Sequence, residues 1–389
     1  MDKYIYLDNN STTQVDKRVV EEMIPFFTSL YANSASTHLF GVEVNNAVKK
    51  ARSLIADLIG CDINEIVFTS GATEGINLAI KGLADTYSHK GKHIITVQTE
   101  HNAVLDVCKY LETKGFEITY LPVDNNGLIN LSELKSNIRK DTILVSVMLV
   151  NNEIGVIQPI EEIAEITHCF GSVLMSDVTQ GIGKISVNVN ELGIDLLAFS
   201  GHKFYGPKGI GGLYVRSKRP NKIKLSPIIH GGGHEMGVRS GTINVPGIIG
   251  LGKAAEIAMQ NTNSDAIRIK NLRDKLENEL LKIENTSLNG HKEKRVCNTS
   301  NICFKDVDAD AIITGLKTII VSNGSACTSN YIHPSHVLKA LGKTDDEAYS
   351  SIRFSLGRFN VPDDIQNTIN KINTVVSNLL MMSNSYKVS

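Results

Sequence analysis

Between Ile66 and Val215 short runs of β-forming residues alternate with amphipathic stretches of helical period, a rhythm that few architectures accommodate. Ile66–Thr69, His93–Val97, Phe116–Leu121 and Ile143–Val150 read as strands, with Val104–Leu111 and Leu131–Ile138 as helices between them. Ser172–Ser176 and Leu196–Phe199 extend the series, and Gly212–Val215 is expected to add an edge. Strands joined through helices cannot pair as hairpins, so they lie parallel with crossover connections. The expected fold class is therefore α/β, a large domain built on a mainly parallel seven-stranded sheet. Ahead of it, residues 15 to 58 read as helical, with breaks at Pro25 and around Asn33 to His38. Beyond it, a charged helix from about Asn263 to Glu284 leads into a smaller α+β C-terminal domain. That unit carries strands near Asn301–Phe304, Ile319–Val321 and Ile352–Ser355, and a closing helix from Pro362 to about Leu380.

In open parallel sheets, ligands bind beyond the carboxyl ends of the strands, and polar residues collect at those positions here. Leu196–Phe199 runs into Ser200-Gly-His-Lys203, which places a lysine in a Gly-rich turn where burial lowers an amine from its usual pKa of about 10.4. A neutral amine attacks aldehydes. Ser200 and His202 add donors that suit a phosphate. Ser70-Gly-Ala72-Thr73 follows a strand and opens a helix, a place for either a phosphate or an ordinary N-cap. His101, Asn151-Asn152-Glu153 and Asp177-Val-Thr-Gln180 occupy three more strand ends. Any one of them alone is a turn or surface residue. Five strand ends that carry, in chain order, Thr, His, Asn, Asp and Lys point instead to a Schiff-base lysine with a phosphate cradle.

Other classes fit poorly. The 389 residues are 42% hydrophobic and 21% charged with a formal net charge of −1, so no strong field draws nucleic acid or an anionic membrane. No apolar run approaches the roughly 18 residues of a membrane span, and the N-terminus has no secretory or transit pattern. Six cysteines without a CxxC pair suit a reducing compartment, so a cytoplasmic protein is expected. His230-Gly-Gly-Gly has no Gly-x-Ser-x-Gly elbow to serve, Gly206-Pro-Lys-Gly lacks Walker A spacing, and no His or Cys pair has a second pair at zinc-like distance.

Ser70-Gly-Ala-Thr-Glu74, Glu100-His101, Asn151-Asn-Glu-Ile-Gly155, Asp177 with Gln180, Ser200-Gly-His-Lys203, Arg239-Ser-Gly-Thr242 and Gly324-Ser-Ala-Cys-Thr-Ser329 together resemble the NifS/IscS-type cysteine desulfurases. These are pyridoxal-phosphate (PLP) enzymes of fold type I in the class V aminotransferase superfamily. The resemblance runs from Tyr6-Leu-Asp-Asn-Asn10 to Ser351-Ile-Arg-Phe-Ser-Leu-Gly357. It implies a large PLP-binding domain over 15–260, and a small domain of 1–14 with 261–389 that carries the catalytic cysteine loop.

The resemblance further implies that Lys203 bonds to the cofactor, that Asp177 pairs with the ring nitrogen and that Gln180 meets the phenolic oxygen. His101 would stack on the ring and move protons, Ala72, Thr73, Ser200 and His202 would hold the phosphate, and Thr242 would reach it from the second subunit of a homodimer. Asn152 would border cofactor and substrate, with Arg353 gripping the substrate carboxylate. Cys327 would take sulfur from L-cysteine as a persulfide, leaving L-alanine. That sulfur would pass to an acceptor or scaffold protein for iron–sulfur cluster assembly or another thiolation pathway. The rival readings are a selenocysteine lyase or related aminotransferase, and a non-catalytic sulfur-relay scaffold, against which the intact Lys203, Asp177 and His101 stand. Ala32-Asn-Ser-Ala-Ser-Thr-His38 departs from the family's Gly-Asn-Pro-Ser-Ser-x-His, so a differently shaped entrance loop is expected.

Overall fold

A computed structural model describes residues 4–218, 222–323, 327–328 and 331–387, with the backbone alone at 327–328, 331–332 and 383–387. The chain opens with β1 (Ile5–Tyr6), then α1 (Lys17–Met23), α2 (Pro25–Thr28) and α3 (Leu39–Ile59). Pro25 separates α1 from α2, and His38 caps α3 by accepting from the Gly41 N–H at 3.1 Å. The alternating region follows as β2 (Ile66–Thr69), α4 (Ala72–Tyr87), β3 (His93–Val97), α5 (Asn102–Glu112), β4 (Glu117–Leu121), α6 (Leu131–Asn137), β5 (Thr142–Ser146), α7 (Ile160–Cys169) and β6 (Val173–Asp177). Next come β7 (Leu196–Ser200), β8 (Gly211–Val215) and α8 (Val245–Leu280). The last part holds β9 (Thr286–Leu288), β10 (Thr299–Phe304), α9 (Ala309–Leu316), β11 (Ile319–Ile320), β12 (Cys327–Thr328), β13 (Tyr331–Ile332), α10 (His336–Ala340), α11 (Asp345–Tyr349), β14 (Ser351–Ser355) and α12 (Pro362–Lys387).

The main sheet has seven strands in the order β2-β8-β7-β6-β5-β3-β4. Only β8 runs against the others. Gly212–Val215 was expected at an edge and instead lies inside, between β2 and β7. Its two glycines permit that position. A Cβ on Gly212 would stand 2.5 Å from the Phe199 ring, and one on Gly211 2.4 Å from the Phe199 carbonyl and 2.7 Å from Gly71 Cα. The strand expected over Ile143–Val150 pairs with β3 only as far as Val145, although Val147 and Leu149 still donate to the β6 side.

Alternation along the strands builds two apolar layers. Ile66, Phe68, Ile95, Val97, Leu197 and Phe199 face α1, α3, α7 and the first half of α8. Val67, Ile94, Leu196 and Ala198 face α4 and α5. A separate core joins Leu7 to the second half of α8, β10, α9, β14 and α12. Strand β1 pairs with β11, so the N-terminus belongs to this second core.

Helix α8 starts at Val245, well before the expected Asn263, because Pro246, Gly247, Gly250 and Gly252 disguise its first turns. Two of those glycines set helix packing: a Cβ on Gly252 would lie 2.7 Å from Ala51 Cα, and one on Gly250 2.5 Å from Met23 Sδ. Helix α12 continues to Lys387, past the expected stop near Leu380. Among the described residues no helix is long and apolar enough to cross a membrane. Gly252→Val should cost about 1–3 kcal/mol by forcing α3 and α8 apart, read as a lower denaturant midpoint with an unchanged slope.

Candidate active site

Because every strand but β8 points the same way, the turns after β2, β3, β5, β6 and β7 open on one edge of the sheet. There they enclose a cavity of about 620 Å³. Ala72, Thr73, His101, Asn152, Asp177, Gln180, Ser200, His202, Lys203 and Arg353, all singled out from sequence, line it. Lys203 ends a single helical turn after β7, and its Nζ donates to the carbonyls of Asn10 at 2.6 Å and Ser11 at 2.9 Å. Burial, with Arg353 close by, pulls the amine down to about 8, although Asp177 and Asp8 act in the opposite direction. Tyr205, two residues on, takes a left-handed φ of 69°. That conformation is held at both ends: the Tyr205 N–H donates to Thr13 Oγ1 at 2.8 Å, and its hydroxyl accepts from the Arg358 N–H at 2.6 Å.

One end of the cavity is built for an anion. Gly71 precedes α4, and among the described residues no side chain caps that helix, which leaves first-turn N–H groups for the cavity that Gly71, Ala72 and Thr73 line. The alternative reading of this turn as a simple side-chain N-cap is thereby overturned. Glu74, which would repel an anion, is drawn off by Arg239 Nε at 2.8 Å and by the Ser70 N–H at 2.8 Å. His202 Nδ1 lies 3.1 Å from Thr12 Oγ1, and burial, then Lys203 and Lys208, pushes this imidazole down to about 4. It is neutral at pH 7.

The middle of the cavity holds Asp177, His101 and Gln180. Asp177 ends β6 and accepts from the Thr179 N–H at 2.9 Å. His101 caps α5, its Nδ1 accepting from the Ala103 N–H at 3.1 Å, so the neutral ring carries its proton on Nε2. Desolvation, opposed by Asp177, lowers its pKa. Gln180 Nε2 donates to the Asn10 carbonyl at 2.9 Å, and its Oε1 accepts from Lys184 Nζ at 2.6 Å. At the far end Arg353 enters on β14, its Nη1 donating to the Asn152 carbonyl at 3.0 Å and its Nη2 to Asp8 at 2.7 Å and Ser11 Oγ at 2.8 Å. Among the described residues its buried Nε has no partner.

Sequence reasoning gave no role to four contributors. Asn10 and Ser11 supply the acceptors for Lys203, and the polar run after the Tyr6-Leu7 pair was the available signal. Lys184 lies four positions beyond Gln180 and carries no motif of its own. Glu100 is fully buried, accepts from the Met148 N–H at 2.6 Å, and is pushed well above the usual carboxylate range by burial and then by Asp177. One expected residue is not in the cavity, and one cannot be placed relative to it. Thr242 is exposed and outside it, and the side chain of Cys327 lies outside the described residues.

The family model Aminotransferase class-V matches residues 5–368. This chain belongs to that family. Cysteine desulfurase IscS of Pectobacterium carotovorum subsp. carotovorum (strain PC1) is 51% identical over 382 residues, spanning 97% of this chain and 94% of the relative. A solved NifS-like protein superimposes with a TM-score of 0.91 at 39% identity, covering 97% of this chain and 100% of the other. A solved structure of SspA in complex with cysteine gives 0.80 at 38% identity, covering 92% and 99%.

Class V enzymes of this kind work with pyridoxal 5'-phosphate, and the donor set fits it. An uncapped helix N-terminus suits the phosphate, and a carboxylate, an amide and an imidazole suit the ring. A lysine held at about 8 suits the aldehyde. In the cofactor-free protein, reductive methylation at Lys203, followed on its peptide by mass spectrometry, should rise with a midpoint near pH 8, since only the neutral amine reacts. An ordinary lysine would give about 10.4.

Proposed function

We propose that the chain is a PLP-dependent cysteine desulfurase, in which Lys203 carries the cofactor and Cys327 receives the sulfur. The observation that carries the reading is the meeting, in one cavity, of a lysine of lowered pKa with a helix N-terminus and a buried arginine Nε that are both unpartnered by side chains among the described residues. The identity of about one half to curated cysteine desulfurases over nearly the whole chain supports the choice of substrate.

Bound pyridoxal phosphate supplies an electron sink for the substrate's α-carbon. Arg353 and Asn152 hold the L-cysteine carboxylate, with Arg353 Nε as a ready donor. Asp177 would pair with the ring nitrogen, and Ser200, His202 and Thr73 would join the α4 amides on the phosphate. Lys203 is close enough to neutrality in pKa to take a proton from the α-carbon and return one to the product. Cys327, as thiolate, attacks the substrate sulfur. The carbon–sulfur bond breaks with its electron pair moving to the β-carbon, which is protonated. L-cysteine and one protein thiol thus become L-alanine and one protein persulfide, with no outside oxidant or reductant.

Several finer assignments belong to the same reading. The large domain is 15–260, and the small domain is 1–14 with 261–389. A homodimer explains why Thr242 is exposed and outside its own cavity, since it would serve the phosphate of the partner subunit. Exposed Val20, Ile24, Phe27 and Tyr31 form an apolar stripe that also suits a second copy. The protein is cytoplasmic and hands its sulfur to an acceptor protein, foremost for iron–sulfur cluster assembly.

Two measurements test this. Wild-type protein given L-cysteine and excess thiol reductant should release alanine and sulfide in equal amounts, and Cys327→Ala should bind the cofactor yet release neither at more than about a hundredth of that rate. Full activity in the variant would favour a lyase, and a colourless, inert wild type would remove the cofactor from the reading. Light scattering should give twice the chain mass; a monomer that turns over at full rate would sink the shared-site role of Thr242.

A further inference from the structure

Lys184 has no role in the chemistry above, yet its amine lies directly behind it. The residue is four positions beyond Gln180, in the run of turns over 181–185 that follows β6. Its Nζ donates to Gln180 Oε1 at 2.6 Å and to Asn10 Oδ1 at 3.3 Å. Burial, with Lys203 close by, brings this amine down to about 7.

A cation placed for stability would face a carboxylate. Lys184 faces two amide oxygens instead, so its effect falls on how those amides point. The Asn10 side chain is already fixed: its Nδ2 donates to Thr299 Oγ1 at 2.9 Å and to the Asn152 carbonyl at 3.1 Å, and its Oδ1 also accepts from Asn298 Nδ2 at 3.0 Å.

The Gln180 amide is different, because either end can in principle face either neighbour. Lys184 donates, and the Asn10 carbonyl can only accept. Between them one orientation satisfies both, with Oε1 toward Lys184 and Nε2 toward Asn10. Nε2 has two hydrogens, and the Asn10 carbonyl takes one. The other is left for the cavity that Gln180 lines.

We propose that Lys184 is a positioning residue that locks the Gln180 amide with its N–H, and not its carbonyl, turned toward the cofactor's ring oxygen. The proposal rests on the reading of Gln180 as a contact of that oxygen. An acceptor turned toward an anionic phenolate repels it, whereas a donor binds it. A lysine behind the glutamine therefore joins the Asn10 carbonyl in deciding which of the two the ring meets. Lys184 itself never touches the cofactor.

The test is a double-mutant cycle on the protein reconstituted with pyridoxal phosphate, comparing Lys184→Met, Gln180→Leu and the pair. The readouts are cofactor dissociation constant, the wavelength of the bound cofactor's visible band, and the thermal midpoint of the cofactor-free chain. Gln180→Leu should weaken the cofactor at least about tenfold and move the band. Lys184→Met should move the band in the same direction and reproduce at least half of the logarithmic loss, while the double variant goes no further than Gln180→Leu. The cofactor-free thermal midpoint should hold or rise, since methionine fills the space of an enclosed amine without its desolvation cost.

If Gln180→Leu has its effect while Lys184→Met matches wild type, the proposal is overturned and the reading of Gln180 stands. Additive losses overturn it too, because Lys184 would then act independently of the amide. If Gln180→Leu changes neither readout, the reading of Gln180 falls and takes the proposal with it. Should Lys184→Met not fold, Lys184→Leu removes the same donor and serves the same cycle.

Discussion

A single backbone carbonyl, that of Asn10, holds the site together. It accepts from Lys203 Nζ at 2.6 Å and from Gln180 Nε2 at 2.9 Å, so two side chains from different strand ends converge on one oxygen. Asn10 can present that oxygen only because its own N–H is bound by Ser355 Oγ at 2.9 Å and its side chain by Thr299 and Asn298. Those partners belong to the small core. The reactive lysine of the large sheet is thus aimed by a segment anchored in the other half of the molecule.

Burial then sets the charge state of nearly every group around that point. It lowers Lys203 to about 8 and His202 to about 4, and raises Glu100 well above the carboxylate range. Each shift is toward the neutral form, though an amine at about 8 still holds its proton in most molecules at pH 7. The charge of Arg353 is matched by Asp8 at 2.7 Å. Where a carboxylate would have opposed the phosphate, Arg239 holds Glu74 aside at 2.8 Å.

How much of this was readable from residues alone follows from topology. Thr73, His101, Asn152, Asp177 and Lys203 were found because parallel strands carry their carboxyl ends to one edge, so order along the chain becomes proximity in space. Strand order itself is not encoded that way. Gly211–Val215 looked like an edge, and its place between β2 and β7 depends on a close approach to Gly71 and Phe199 that only folded neighbours reveal. The first turns of α8 were hidden for a related reason: glycines that weaken a helix in isolation are required where α3 presses against it. Asn10 and Lys184 escaped because tertiary packing brings them in, with no periodic pattern of their own to mark them.

The pairing of Arg353 with Asp8 spans 345 positions, and β1 lies beside β11. During synthesis the N-terminal strand and the Asn10–Ser11 acceptors emerge first, but the segments that anchor them emerge almost last. Lys203 is therefore made long before its surroundings are dry. Until the C-terminal segments arrive, it is a hydrated lysine of ordinary pKa, about 10.4, with a small neutral fraction. The lowered pKa of about 8 is thus a property of the two cores together, and the nucleophile in the large sheet depends on residues that join it late.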